Sequence, residues 1–191
     1  MSALRTIAIF LLASICAGPQ SSPQHRLAEY LQRKLNHIQE NAKLAHPDQK
    51  PTVMTEEEIN EYIASGQVKL PRGLQRVTFQ GQSGVVTALA SIDFDEIRAG
   101  QHSSNPLFAI FSGTRNVRVE AEASGAEGRG RVHVRSVTLD GAEVPPIALE
   151  FLLGKYITPK YPHVGMDSDF PLPGGIDVAT IGYHKLTVTQ K

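Results

Sequence analysis

The side chains that could bind a metal ion are scattered along this sequence. Its seven histidines are at positions 25, 37, 46, 102, 133, 163 and 184. No two have the spacing that puts a pair of ligands on one helical turn, as in H-E-x-x-H. Asp167-Ser168-Asp169 could contribute to a calcium loop, but the further oxygen ligands and terminal glutamate of an EF-hand are missing. The sequence therefore predicts no metal and no cofactor, and we interpret 167–169 as a plain loop.

Nucleophilic catalysis also lacks a recognisable motif. Ser83 lies in Gly81-Gln82-Ser83-Gly84, without the residue between serine and glycine that a G-x-S-x-G elbow needs. Cys16, the single cysteine, falls in a segment that we expect to be removed. A carboxylate pair for glycoside hydrolysis stays open, although no motif argues for one. We therefore expect a protein that is not an enzyme.

Two features argue against binding of phosphate or nucleic acid. The glycine-dense stretch 125–130 links two predicted strands instead of opening a helix, so it offers no helix N-terminus to a phosphate. Lys and Arg total 19 and Asp and Glu total 19, and no basic stretch stands out. The sequence therefore predicts a turn at 125–128 and no nucleic-acid partner.

The first 17 residues have the three-part pattern of a secretory signal. Arg5 precedes an apolar run at 7–13, which is shorter than the roughly 20 residues of a membrane span, and small residues follow at 14–18. Cleavage is expected after Cys16 or Ala17. The alternatives are an uncleaved membrane anchor and a lipidated Cys16, against which the bulky Ile15 argues. With no N-x-Ser/Thr site in the chain, we expect a bacterial protein that is periplasmic or secreted.

Hydrophobic periodicity predicts helices followed by strands. Ser22-Pro23 opens an amphipathic helix that ends before Pro47, so residues 18–51 form a helix and linker. Thr55 and Glu58 form a capping box for a second helix at about 56–65. From Leu74 the period becomes two, which predicts strand pairs at 74–80 with 85–94, 116–123 with 131–139, and 176–181 with 186–189.

Short apolar helices are expected at 106–111 and from Pro146. Residues 52–191 thus form an α+β domain of antiparallel hairpins that makes one globular unit with the N-terminal helix.

The central strand pair carries two specific predictions. A loop at 125–128 sets Ser124 opposite Arg129, Glu122 opposite Arg131 and Glu120 opposite His133. The apolar phase of the return strand slips after Val134, which predicts a β-bulge near Ser136.

Two segments resemble bacterial exported proteins of the tubular lipid-binding, or TULIP-like, type. Residues 54–63, Met-Thr-Glu-Glu-Glu-Ile-Asn-Glu-Tyr-Ile, are similar to an opening motif of that group, and 170–188 to its ending. The resemblance implies a strongly bent antiparallel sheet of β-hairpins around a long helix, with acyl chains held between them. It implies no catalytic residues.

Apolar helix surface exceeds what a small core requires, so a groove for a lipid or other apolar ligand is expected between sheet and helices. A phospholipid or acyl chain is the expected ligand, with the membrane nearby. The alternative is a structural or protein-interaction module of the cell envelope. The residues expected to line the groove are Ile59, Ile63, Phe108, Phe111, Leu149 and Leu153.

Overall fold

A computed structural model describes residues 23–98, 111–158 and 164–191. Within them the chain is α+β: nine strands form one sheet in which every pairing is antiparallel, and four α-helices accompany it. This confirms the predicted α+β class and its antiparallel strands. The expected signal segment and the expected helix at 106–111, apart from Phe111, lie outside the described residues.

The helices are named in chain order. They are α1 (Pro23–Asn41), α2 (Glu56–Ala64), α3 (Phe94–Arg98) and α4 (Pro146–Leu152), and α4 continues as a π-helical turn at Leu153–Ile157. The predicted start of α4 at Pro146 and the predicted capping box of α2 are both confirmed. Among the helices that the structure describes, none is both long enough and apolar enough to cross a membrane.

The strands include three that the sequence did not predict, β1, β6 and β7. In chain order they are β1 (Thr52–Thr55), β2 (Leu74–Gln82), β3 (Val85–Asp93), β4 (Thr114–Ala126), β5 (Arg129–Leu139), β6 (Ala142–Glu143), β7 (Asp167–Pro171), β8 (Ile176–Gly182) and β9 (Lys185–Gln190). The three predicted strand pairs are confirmed as β2–β3, β4–β5 and β8–β9.

Strand β4 is the centre of the sheet. Strand β5 pairs with one edge of β4, while β3 pairs with the other edge and gives way to β8 at Ser124 and Gly125. The order along the main path is β1-β9-β8-β4-β3-β2, and β5 also pairs with β6 and β7. The first and last strands of the described chain therefore meet at one side, where β1 pairs with β9.

The predicted register of the β4–β5 hairpin is wrong. The turn is the two residues Glu127 and Gly128, with φ of 54° and 74°, and β4 runs on to Ala126. Two-residue turns with positive φ match the twist of antiparallel strands. Glu122 therefore lies opposite His133, and Arg131 lies opposite Ser124.

Packing accounts for the glycines that led to the longer predicted loop. Gly125 and Gly130 pair across the ladder. A Cβ on Gly125 would come within 2.8 Å of Ala179 Cβ, and one on Gly130 within 2.7 Å of the Phe170 ring. These two glycines leave space for neighbouring residues instead of forming the turn.

The β-bulge is confirmed. Glu120 pairs with Ser136 while Ala121 pairs with Val134, so Arg135 is the extra residue of β5. The extra residue explains why the apolar alternation shifts within β5. Because of the bulge, the apolar residues before and after Arg135 can point to the same face of the sheet.

The interpretation of 167–169 as a loop is wrong, because these residues open β7. Strand β7 pairs with β5, with Asp169 opposite Arg131 and Asp167 opposite His133. The Asp167 Oδ1 to His133 Nδ1 distance is 2.6 Å. Charge pairs across the strands thus accompany an edge strand whose sequence has little β-propensity of its own.

Two hydrophobic clusters hold the elements together. The first joins α1 to β1 and β9 through Leu31, Ile38, Met54 and Val188, with α2 side chains packed against it. The second joins β4, β5 and α4 through Phe111, Val117, Leu139, Val144, Ala148 and Leu149. The surface between α2 and the sheet lies at the border of the first cluster.

Candidate functional site

Helix α2 is fixed at its N-terminus by a capping box and a buried ion pair. Thr55 Oγ1 accepts a hydrogen bond from Glu58 N–H at 3.2 Å, and Glu58 Oε2 accepts one from Thr55 N–H at 2.9 Å. Lys34 Nζ, from α1, lies 2.7 Å from the same Glu58 oxygen and 2.6 Å from the Val53 carbonyl oxygen. The Glu58 side chain is 6% exposed. One buried carboxylate therefore ties α1, β1 and α2 together.

Helix α2 also completes the free edge of β2. Strand β2 ends the sheet order, so no strand of the described residues pairs with its other edge. The Asn60 side chain accepts from Phe79 N–H at 2.8 Å and donates to the Phe79 carbonyl at 2.9 Å. Gly81 N–H donates to Glu56 Oε2 at 2.9 Å, and His184 N–H donates to the Gly81 carbonyl at 3.0 Å. The side chains of α2 thus bond β2 in place of a further strand.

Between α2 and the sheet lies a cavity of about 260 Å³, which we call the α2 groove. Its walls come from four strands as well as the helix, and nearly all of its surface is apolar. It is lined by Glu56, Ile59, Phe79, Gly81, Val86, Ile181, Lys185 and Leu186.

Of the residues that the structure describes, two charged ones border the α2 groove. Glu56 Oε2 accepts the Gly81 N–H and lies 2.8 Å from His184 Nδ1. Lys185 is the other, and the part of the chain that the structure describes provides no hydrogen bond or ion pair for its ammonium group. An apolar wall with a few polar groups at its border is the usual composition of a small-molecule site.

The structure describes five of the six residues predicted to line a ligand groove and places them apart. Ile59 lines the α2 groove, and Ile63 is half-buried on the same helix. Phe111 and Leu149 are buried in the second cluster, and Leu153 is half-buried in the π-helical turn. Phe108 lies outside the described residues. Of the five that are described, only Ile59 is brought to the α2 groove, and ligand contact by any of the six stays a prediction.

Sequence reasoning missed the strand residues of this groove, although it placed their strands correctly. Val86 lies in β3, Ile181 in β8 and Leu186 in β9, each at an apolar position of a predicted strand. The alternation of apolar and polar residues in these strands was the sequence signal that could have pointed to them. What the sequence did not show is that the β2–β3 and β8–β9 hairpins both reach α2.

A larger cavity of about 590 Å³ is lined by charged and small side chains of β4, β5 and β7 and by the β2–β3 turn. Its ionic side chains pair with one another: Arg135 with Glu122 at 2.5 Å, His133 with Asp167 at 2.6 Å, and Arg129 with Asp169. These charges already pair with one another and are in contact with solvent. We therefore interpret this face as a set of exposed cross-strand ion pairs.

Metal binding finds no support within residues 23–98, 111–158 and 164–191. No three histidine, cysteine or carboxylate side chains there come close enough together to hold an ion. The α2 groove is the candidate site because its lining is nearly all apolar, and it can bind a ligand by burying apolar surface. Comparison of the chain with models of protein families, with curated proteins and with solved structures found no match.

Proposed function

We propose that this protein is exported by a bacterial cell and binds a lipid or other apolar ligand between its sheet and helices. The observation that carries this proposal is the α2 groove, which combines an apolar lining with walls from two hairpins and a helix. Each methylene group buried there contributes about 0.8 kcal/mol. Binding of an apolar chain needs no catalytic group, so the protein acts by holding its ligand.

The position of the TULIP-like segments supports the same proposal. The segment 54–63 includes Glu56 and Ile59, and the segment 170–188 includes Ile181 and Leu186, all of which line the α2 groove. We propose a TULIP-like arrangement in which the sheet bends around the long helix. The contacts of α1 with β1 and β9 in the first cluster are consistent with such an arrangement.

Recovery of a ligand with the purified protein tests this function. Organic extraction followed by mass spectrometry is expected to release an acyl compound from the wild-type protein. Val86→Phe places a ring in the α2 groove, and Val86 belongs to neither hydrophobic cluster, so we expect a folded protein with little acyl compound. Val178→Phe, on the exposed side of β8, is the matched control and should retain the compound. Equal recovery from both variants would refute the proposed site.

Export has its own test. Intact-mass analysis of the protein from the cell envelope should show the loss of about 16 or 17 residues, as expected for a cleaved signal. A full-length mass would contradict export by cleavage, and an added diacylglycerol on Cys16 would establish a lipoprotein.

A second candidate, a structural or interaction module, is favoured by the burial of Phe111. Its side chain is 3% exposed and its ring centroid lies 5.4 Å from that of Phe94. Phe111→Ala should therefore cost about 3 to 5 kcal/mol of unfolding free energy, as in other cores. The same change at Phe79, in the α2 groove, should cost less and weaken ligand retention. Similar losses at both positions with no ligand bound would favour the module.

A further inference from the structure

The lysine at the border of the α2 groove packs its stem on a glycine. A Cβ built on Gly182 would lie 3.2 Å from Lys185 Cε and 3.3 Å from its Cγ, so the aliphatic stem of Lys185 lies over Gly182. Lysine commonly packs its methylenes on apolar surface while its ammonium group stays in water. The stem of Lys185 thus lines the groove and places a cation at its border.

Within the described part of the chain, that cation is the charge at the groove that has no ion-pair partner. Lys34, Lys43 and Lys191 each lie within 2.8 Å of a carboxylate oxygen. Lys185 has no carboxylate oxygen within ion-pair distance among the described residues. Glu56, the carboxylate that borders the same groove, is occupied by the Gly81 N–H and by His184. An anionic group at this border would therefore gain a partner without displacing one.

The size of the groove limits the number of chains that it can hold. Its volume of about 260 Å³ lies below the roughly 300 to 1,000 Å³ of sites for drug-sized molecules. A single chain matches such a volume better than the paired chains of a phospholipid.

We infer that the ligand is a single-chain amphiphile with an anionic head group, of the fatty-carboxylate class. Its chain lies along Ile59, Val86 and Leu186, and its carboxylate is held by the Lys185 ammonium group. This inference rests on the proposed function, since it names the ligand class of the same groove.

Calorimetric titration with decanoate and with decan-1-ol, both below their aggregation limits, distinguishes the contribution of the head group to binding from that of the chain. Wild-type protein should bind decanoate about fivefold more tightly, the effect expected of one ion pair near solvent. Lys185→Met should abolish this preference while decan-1-ol binding persists, and Lys185→Arg should keep it. Lys69→Met removes an exposed lysine outside the groove and should change nothing.

Two results would overturn the inference in distinguishable ways. Equal binding of both probes by the wild type, or an unchanged preference in Lys185→Met, would reject the anionic head group and leave the apolar groove standing. Failure of the wild type to bind either probe would reject the groove as well. Circular dichroism of Lys185→Met, whose substituted side chain is exposed, confirms that the fold is kept.

Discussion

Several polar residues hold this fold together through bonds to distant parts of the backbone. Asp140, in the turn after β5, is an exposed carboxylate that bonds to residues at the start of β4. Its Oδ1 accepts the Asn116 N–H at 2.9 Å, and its Oδ2 accepts from Arg115 Nη1 at 3.1 Å. The Asn116 backbone N–H is the main cause that lowers the pKa of Asp140 below its usual 3.8. The Arg115 guanidinium adds to the effect, while desolvation opposes it.

Asp140→Asn is expected to lose a stabilisation that depends on pH. A carboxyl whose pKa is lower in the folded state stabilises the fold above its unfolded pKa, and this contribution is lost as the pH falls through the folded pKa. Asparagine tolerates the φ of 49° found at this position. Urea unfolding of both proteins should show a gap in stability at neutral pH that closes below pH 3.8. A gap that is constant with pH would contradict this account.

The Lys34–Glu58 ion pair differs from the Asp140 interactions in that its carboxylate is buried. Lys34→Met leaves the Glu58 carboxylate buried without its cation, and we expect a loss of about 3 kcal/mol of unfolding free energy. Lys43→Met, which breaks the exposed pair with Glu40, should cost no more than about 1 kcal/mol. Denaturant titration measures both variants. Equal costs would mean that the burial of Glu58 does not matter to stability.

At the scale of elements, α2 acts as a neighbour to β2 as well as a wall of the groove. Asn60→Leu removes both part-buried bonds to Phe79, and a hydrogen bond of this kind contributes about 0.5 to 1.5 kcal/mol. We expect lower stability together with faster hydrogen exchange at the Phe79 amide. Asn36→Leu, on the exposed side of α1, is the matched control. Unchanged exchange at Phe79 would show that α2 does not protect this strand edge.

Local chemistry accounts for the elements that the sequence predicted well. The capping box at Thr55, the alternation in β2 to β5 and the bulge at Arg135 each depend on residues close together in the chain. The predictions for β7 and for the turn at Glu127 and Gly128 were wrong because contacts with residues far along the chain determine both structures. Gly130 is needed beside Phe170, and Asp169 is paired with Arg131.

At the scale of the whole molecule, the candidate site arises where two hairpins and α2 converge. The sequence predicted the hairpins and the helix, but of the five predicted site residues that the structure describes, only Ile59 reaches the α2 groove. Periodicity assigns a residue to a face, whereas convergence of hairpins depends on the order of strands in the sheet. The β8–β9 turn meets β2 through His184 N–H and Gly81, which no local pattern reveals.

The central claim, that the α2 groove holds an apolar chain, is tested most directly by nuclear Overhauser contacts between bound decanoate and protein methyl groups. We predict contacts from the chain protons to methyl groups of Ile59, Val86, Ile181 and Leu186, and none to Val144 or Leu149 of the second cluster. Contacts confined to the second cluster, or none at saturating decanoate, would contradict the claim.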